Sequence, residues 1–210
     1  MTTPKITPIP APQATVVSRE VIYKRYTSVQ QVTLDVRRLK DSSKTMKLER
    51  EVFMTGKVSA VVCYDPENDK ILLIRLFRIG AFLGGITDSF MFEIPAGFID
   101  DGETPEDAAR REGMEETGMQ FSSLIPVGGY YLTPGGSTEK VHIFIGRISA
   151  PETGIFGLES EQEELETVLF DANDVFKMLD NGSIQNGTAS IALNWFARHR
   201  DRIRKEWLSS

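Results

Sequence analysis

Apolar and polar residues follow two different periods along this chain. Short runs rich in β-branched and aromatic residues recur between about residues 21 and 170, separated by Pro, Gly, Asn and Asp. Such runs predict β-strands. Residues 189–207 instead carry apolar side chains three to four positions apart, which predicts one long helix. The chain should therefore contain many strands, with helices near its middle and at its end.

Along the sequence, predicted strands both precede and follow one mid-chain helix. The two strongest, 57–64 and 71–77, are joined by a polar turn at 65–70 and predict a hairpin. The loop 80–89 is predicted to be irregular. Further strands are predicted at 21–39, 45–53, 90–95, 123–133, 141–148 and 166–170, and a short helix at 173–179. This arrangement predicts an α+β fold or a sheet layered between helices, without naming the fold.

The N-terminal quarter of the chain differs from the rest. Residues 1–19 are predicted to form a flexible tail, because their first part is rich in proline and poor in charge. Residues 20–53 predict a β segment that is too small to bury a core of its own. It must pack on the main domain, residues 54–210, or on a second subunit. A two-fold homodimer is the simplest assembly that would cover it.

A loop and a short helix are predicted within residues 97–119. Thr104 is a suitable N-cap, and Pro105 suits the first helical position. Gly118 can adopt the left-handed conformation that ends a helix. The helix is therefore expected to run to about Thr117.

Three carboxylates share one face of this helix. Glu112, Glu115 and Glu116 stand at i, i+3 and i+4, a spacing that places them side by side. Like charges at this spacing repel one another. Mg²⁺ would relieve the repulsion, because it takes oxygen ligands and bridges carboxylates to substrate phosphates. For such a triplet alone, a solvated glutamate-rich face is the alternative interpretation.

The complete pattern favours the metal site. Its spacing is Gly-x5-Glu-x7-Arg-Glu-U-x-Glu-Glu-x-Gly-U, where U is an aliphatic residue. The fixed positions are Gly97, Glu103, Arg111, Glu112, Glu115, Glu116 and Gly118. This is the Nudix box, and the chain resembles the Nudix hydrolases. Only Gly113 departs, at the first U position, where we expect looser packing.

The resemblance implies a fold and a chemistry. The fold is a mixed β-sheet between helices (α/β/α), here with an additional N-terminal β segment. The chemistry is metal-dependent hydrolysis of a nucleoside diphosphate linked to a second group, in which cations neutralise charge around the attacked phosphorus. Mg²⁺ is the expected metal and Mn²⁺ the alternative. By position, the expected metal ligands are Glu112, Glu115, Glu116 and the carbonyl oxygen of Ala96, and Arg111 is expected to hold a glutamate in place.

Further runs resemble the bacterial ADP-ribose pyrophosphatases. They are residues 93–97, 132–139, 154–164 and 186–195. The acidic run 154–164 is similar to their catalytic loop, so Glu161 is the first candidate for the general base and Glu163 the second, with Glu115 as a further catalytic candidate. A solvated acidic loop is the alternative. ADP-ribose is the expected substrate; another nucleoside diphosphate sugar, or a non-catalytic nucleotide-binding role, is the alternative.

Substrate binding requires cations for the phosphates and a flat partner for the base. Arg78 and Arg50 could bind a phosphate or stack on adenine. Tyr26 is a candidate stacking partner, although a surface role is favoured for it. Glu139 is a candidate for a ribose hydroxyl. The resemblance also implies a homodimer with exchanged N-terminal segments, so Tyr26 or Arg50 could serve the site of the other subunit.

Composition narrows the class of partners. The 210 residues are 40% hydrophobic, which suits one domain with a modest extra element. A formal charge of −6 argues against a nucleic-acid partner. The single Cys63 excludes an intrachain disulfide, and two histidines cannot build a histidine-rich metal site. With no apolar run of transmembrane length and no signal pattern, a cytoplasmic location without a membrane partner is expected.

Overall fold

The computed structural model describes residues 13–157 and 164–209. The chain divides into two compact units, Met1–Thr55 with Thr133–Glu139 and Gly56–Leu132 with Lys140–Ser210. In its described part the first unit contains strands and turns only, whereas the second combines a large sheet with helices.

The first unit is built on a three-stranded antiparallel sheet. Its order is β1–β2–β3, with β1 at Ala14–Lys24, β2 at Ser28–Arg37 and β3 at Thr45–Met54. Because β1 begins at Ala14, the prediction of a flexible tail is wrong for residues 14–19. The β-branched residues of β1 favour a strand, and pairing with β2 satisfies their backbone groups.

A loop from much later in the chain completes this unit. The segment Thr133–Glu139 lies beside the end of β3. The amide of Phe53 donates to the carbonyl of Gly136 at 2.8 Å, and the amide of Thr138 donates to the carbonyl of Phe53 at 3.0 Å. The amide of Thr55 donates to the hydroxyl of Thr138 at 3.0 Å. These bonds satisfy the backbone at the end of an edge strand.

Apolar side chains stay exposed on the three-stranded sheet. Every residue of β1 is exposed, and no residue that the structure describes in this unit is buried. The exposed large apolar residues of β1 are Val16, Val17, Val21, Ile22 and Tyr23. An exposed apolar surface with free strand edges favours association with another surface.

The second unit is a mixed sheet with helices on both faces. Its strands are β4 (Lys57–Asp65), β5 (Lys70–Phe77), β6 (Phe90–Glu93), β7 (Ala96–Phe98), β8 (Ser123–Tyr130), β9 (Lys140–Arg147), β10 (Ile155–Phe156) and β11 (Leu165–Asp171). Its helices are α1 (Ile79–Leu83), α2 (Pro105–Thr117), α3 (Ala172–Asp180) and α4 (Gly187–Leu208). The main path runs β10–β11–β5–β4–β9–β8, while β6 pairs with β5 and β7 with β4. Only the β4–β9 pair is parallel among these.

These elements confirm the predicted mixed sheet between helices. One difference concerns the loop 80–89, which was expected to be irregular, whereas α1 occupies Ile79–Leu83. This helix is only five residues long and buries none of them. It therefore lacks the apolar periodicity from which a helix is predicted.

The central strand β4 separates two hydrophobic layers. Ala60 and Val62 pack with residues of α3 and α4, whereas Val61 and Cys63 pack with Ala109 of α2. Successive side chains of a strand point to opposite faces, so a strand covered on both faces is apolar throughout. Burial raises the pKa of the Cys63 thiol, which agrees with a structural role. No helix in the described ranges is long and apolar enough to cross a membrane, and the cytoplasmic location stays a prediction.

Candidate active site

The helix α2 begins and ends where its sequence predicts. The Oγ1 atom of Thr104 accepts a hydrogen bond from the amide of Asp107 at 3.1 Å, which caps the N-terminus. Pro105 opens the first turn. At the other end Gly118 has φ of 67°, and its amide donates to the carbonyl of Met114 at 2.9 Å. The caps fix where α2 begins and ends.

Two contacts hold α2 against the sheet. The hydroxyl of Ser59 in β4 donates to the carbonyl of Pro105 at 2.6 Å. The backbone amide of Ala96 in β7 donates to Oε2 of Glu116 at 3.0 Å. The first bond secures the start of the helix, and the second ties its last turn to β7.

Gly97 allows the closest approach between helix and strand. A Cβ atom at this position would lie 2.5 Å from Oε2 of Glu112, and the rest of that carboxylate would be closer still. Real Cβ atoms are not found at such distances, so any side chain at position 97 would displace Glu112. The carboxylate therefore lies directly on the backbone of β7.

Two of the three helical carboxylates are buried. Glu112 is 9% exposed and Glu116 is 5% exposed, whereas Glu115 faces solvent. Burying a charged group without compensation is costly. Nη1 of Arg111 compensates Glu112 at 2.7 Å, and the amide of Ala96 compensates Glu116.

Arg111 connects three of the four fixed glutamates of the box. Its Nε and Nη2 atoms each donate to the carboxylate of Glu103 at 3.0 Å. Nη1 also reaches Oε2 of Glu115 at 3.1 Å, and Nη2 donates to the carbonyl of Phe98 at 2.8 Å. The expected structural role of Arg111 is therefore present, and Glu103 is a structural contact of it. The same hydrogen bonds hold the pKa of the Glu103 carboxyl below its ordinary value, and they raise the pKa of Arg111.

The donor groups suit a hard divalent cation. Within residues 13–157 and 164–209, no three or more His, Cys, Asp or Glu side chains converge on one point. Glu112 and Glu115 instead both accept hydrogen bonds from Arg111, and Glu116 accepts one from the backbone amide of Ala96. The available ligand atoms are nevertheless carboxylate oxygens. Two of the three carboxylates are buried beside the backbone of β7 and next to a glycine. Oxygen ligands of this kind are those that Mg²⁺ and Mn²⁺ prefer.

The predicted substrate-binding residues fall in both units. Arg78 follows β5 in the second unit, and its Nε and Nη2 atoms each donate to the carboxylate of Glu93 at 2.9 Å. In the first unit, Nη1 of Arg50 on β3 donates to the carbonyl of Glu49 at 2.7 Å. Tyr26 lies in the β1–β2 turn and is 89% exposed. In the same unit, the amide of Glu139 donates to the hydroxyl of Ser137 at 3.1 Å.

The predicted general bases cannot be placed in this site. Glu161 and Glu163 lie outside the described residues, so their assignment stays a prediction.

Two features of the second unit were missed by sequence reasoning. Glu93 is only 4% exposed and forms a two-bond ion pair with Arg78. Its signal was its place at the end of a strand that leads into the box. The other feature is the packing at Gly113, where looseness was expected. That expectation is wrong, because the ring of Phe121 fills the space beside the glycine.

Comparisons with known proteins show which family and which proteins this chain is similar to. A family model described as the NUDIX domain matches residues 54–189. The chain is 31% identical over 193 residues to the ADP-ribose pyrophosphatase of Escherichia coli strain K12, which covers 91% of each chain. It is 28% identical over 181 residues to the GDP-mannose pyrophosphatase of Salmonella paratyphi B, covering 86% of this chain and 93% of that one. A crystal structure of an ADP compounds hydrolase matches with a TM-score of 0.73 at 22% identity, covering 94% and 100% of the two chains, and shows the same fold.

The hydrogen bonds from Arg111 predict a measurable change in the pKa of Glu103 when they are removed. In the metal-free protein, Arg111→Gln should raise the pKa of Glu103 toward its ordinary value, as followed by NMR of the side-chain carboxyl. A carboxyl whose pKa is lowered by folding stabilises the fold above its unfolded-state pKa. That stabilisation disappears as the pH falls through the lowered value, so acidification should destabilise the native protein more than the variant.

A matched control is available on α4. Arg202→Gln removes an exposed pair with Glu206 and should leave the pKa of Glu103 unchanged. An unshifted Glu103 pKa in Arg111→Gln would show that these hydrogen bonds do not set the titration.

Proposed function

This chain belongs to the Nudix family, whose hydrolases generally depend on a divalent metal, and we propose that it hydrolyses the pyrophosphate of ADP-ribose to AMP and ribose 5-phosphate. The observation that carries this proposal is the intact box, with Glu112 and Glu116 buried beside Ala96 and Gly97. A box that served only to bind a nucleotide would not need to keep every carboxylate. The similarity to an ADP-ribose pyrophosphatase over nearly the whole chain supports the substrate.

The proposed metal ligands are Glu112, Glu116 and the carbonyl oxygen of Ala96, with Glu115 as a further ligand. The proposed metal is Mg²⁺, which when bound would neutralise charge on the pyrophosphate and favour attack by water. Arg111 orients the glutamates, and Gly97 lets them approach the backbone of β7.

The remaining steps belong to side chains of the protein. In the proposed reaction a water oxygen bonds to one phosphorus while the bond from that phosphorus to the bridging oxygen breaks. A general base takes the proton from water, and Glu161 is the first candidate, followed by Glu163 and Glu115. Arg78, held by the buried Glu93, is proposed to bind a phosphate. Arg50, Tyr26 and Glu139 are proposed contacts for the nucleotide.

A second substrate class has its own support. The similarity to a GDP-mannose pyrophosphatase also covers most of both chains. Because the two relatives differ in both base and sugar, the metal site cannot distinguish between these substrates. The distinction must come from residues that contact the base or the sugar.

A substrate panel tests the proposal. With Mg²⁺ present, the protein should release AMP from ADP-ribose with a higher kcat/KM than it shows for ADP-glucose, GDP-mannose or UDP-glucose. Faster release of GMP from GDP-mannose would transfer the assignment to the second class. In the same assay Glu112→Gln or Glu116→Gln should abolish turnover, whereas Glu106→Gln, on the exposed first turn of α2, should retain it. Near-native kcat in either buried variant at saturating Mg²⁺ would contradict the metal-ligand assignment.

The assignment of the general base predicts a separate loss of catalytic rate. Glu161→Gln should lower kcat by about 10²–10⁴-fold, the usual range for loss of a general base. ADP-ribose should still bind, because the box and Arg78 are unchanged. Glu163→Gln is the matched variant two residues away and should have a smaller effect. A large loss in Glu163→Gln with a small loss in Glu161→Gln would exchange the two roles.

The exposed apolar surfaces support a homodimer. The first unit exposes the apolar residues of β1, and the second exposes an aromatic group in which Phe77 lies 5.8 Å from Phe82 and 5.7 Å from Phe90 between ring centroids. We propose that a second copy of the chain covers these surfaces, with the N-terminal β segment, residues 20–53, packing on the partner. Such a two-fold arrangement is the commonest closed assembly.

Light scattering tests the assembly. The native protein should have twice the mass of one chain at micromolar concentration. Val21→Glu should shift it toward the monomer, because a charge on β1 would be buried in the interface. The neighbouring Glu20→Gln should leave the dimer intact. A native protein that is monomeric yet fully active would contradict a shared active site.

A further inference from the structure

Phe121 lies between the box helix and the sheet. It follows the end of α2 closely, yet its side chain is 6% exposed. Its ring belongs to a hydrophobic cluster. The other buried members are Val61, Cys63, Leu72, Ala109, Phe144 and Ile148. The chain therefore turns back after α2 and places an aromatic ring beneath its own helix.

Two glycines lie at opposite edges of this ring. A Cβ atom at Gly113 of α2 would lie 2.5 Å from Cζ of Phe121 and closer to Cε2. A Cβ atom at Gly146 of β9 would lie 2.6 Å from Cε1 and closer to Cδ1. Neither position can carry a side chain while the ring stays in place. The ring thus fills the whole distance between the helix backbone and the strand backbone.

The backbone of Phe121 is also held. Nη1 of Arg110 on α2 donates to the carbonyl of Phe121 at 2.7 Å. Gly118, in the left-handed conformation, directs the chain back toward the helix, and the amide of Met119 donates to the hydroxyl of Thr117 at 3.3 Å. A movement of the Phe121 backbone away from Gly113 would break the bond from Arg110, and a movement of the ring away from the helix would bring it into Gly146.

A glycine inside a helix is unfavourable relative to alanine. At position 113 the Nudix pattern has an aliphatic residue, so this glycine needs a local reason. The close approach of Phe121 supplies it, because the ring takes the space that the aliphatic side chain would fill. The volume of the ring therefore compensates for the missing aliphatic side chain, as close-packed interiors require.

This packing acts on the residues that flank Gly113. Glu112 precedes it directly, and Glu116 stands three residues later on the same helix. The carboxylate of Glu112 occupies the space that a Cβ atom at Gly97 would need, so the height of α2 above β7 has little tolerance. A shift of the helix at Gly113 would move both carboxylates relative to Ala96 and Gly97.

We propose that Phe121 is a positioning residue for the metal-binding carboxylates, and that its ring sets the height of α2 through Gly113 and Gly146. This inference rests on the proposed metal-dependent function. It concerns the Gly113 position, where the chain departs from the family pattern.

Gly113→Ala is the first test, with Gly187→Ala as its matched control. Gly187 opens α4, and a Cβ atom there would have nothing within 4 Å. Gly113→Ala should lower the Tm, although alanine is the better helix former, and Gly187→Ala should leave it unchanged or raise it. In substrate-free protein, Mn²⁺ binding followed by electron paramagnetic resonance should weaken by about 10–100-fold in Gly113→Ala, the usual effect of disturbing groups that orient ligands. The control should bind Mn²⁺ as the native protein does.

Exchanging side-chain volume between positions 113 and 121 distinguishes a positioning role of Phe121 from a general effect on stability. The double variant Gly113→Ala with Phe121→Leu replaces the ring by a smaller side chain while it adds a methyl group to the helix, so it should recover most of the Mn²⁺ affinity. Native Mn²⁺ affinity in Gly113→Ala would overturn the proposal whatever its Tm, and so would a double variant that binds no better than Gly113→Ala. The Tm measurements need neither metal nor substrate, so they test the packing even if the substrate panel contradicts the proposed function.

Discussion

The rest of the site depends on the hydrogen bonds that the guanidinium of Arg111 donates. In an acidic protein, carboxylates from one helix face and one loop cannot lie together without a cation among them. Arg111 donates to Glu103, Glu112 and Glu115, and also to the carbonyl of Phe98. The planar fork suits this task because several N–H groups diverge from one rigid charge, which the single ammonium of lysine cannot reproduce. Loop, strand and helix are thereby fixed relative to one another.

The buried carboxylate of Glu93 is likewise compensated by an arginine. Glu93 lies inside the sheet layer and is matched by two hydrogen bonds from Arg78. Removing Arg78 would take both hydrogen bonds away from a glutamate whose side chain is only 5% exposed, which is costly for a buried charge. The same two hydrogen bonds hold the guanidinium of Arg78 in one orientation, and a fixed orientation would lower the entropic cost of the phosphate contact proposed for it.

The sequence predicted those features that local rules determine. Thr104, Pro105 and Gly118 fix the bounds of α2 by capping, and the apolar pattern of β4 and β5 predicts a buried hairpin. It did not predict β1 from Ala14 or the short α1, because neither has a buried apolar face. The Gly113–Phe121 contact depends on two residues that meet only after the chain turns back. The general bases and the substrate contacts stay predictions, since loop sequence alone does not determine which side chains meet a ligand.

The loop Thr133–Glu139 has a consequence for the order in which a growing chain can fold. It completes the first unit, although it is synthesised between β8 and β9 of the second. The hydrogen bond from Thr55 to Thr138 joins residues 83 positions apart. On the ribosome, the three N-terminal strands can pair early, but the end of β3 must wait for this loop. By then β4–β8 and the box helix have also been synthesised, so neither unit can be completed or excised as a single uninterrupted stretch of chain.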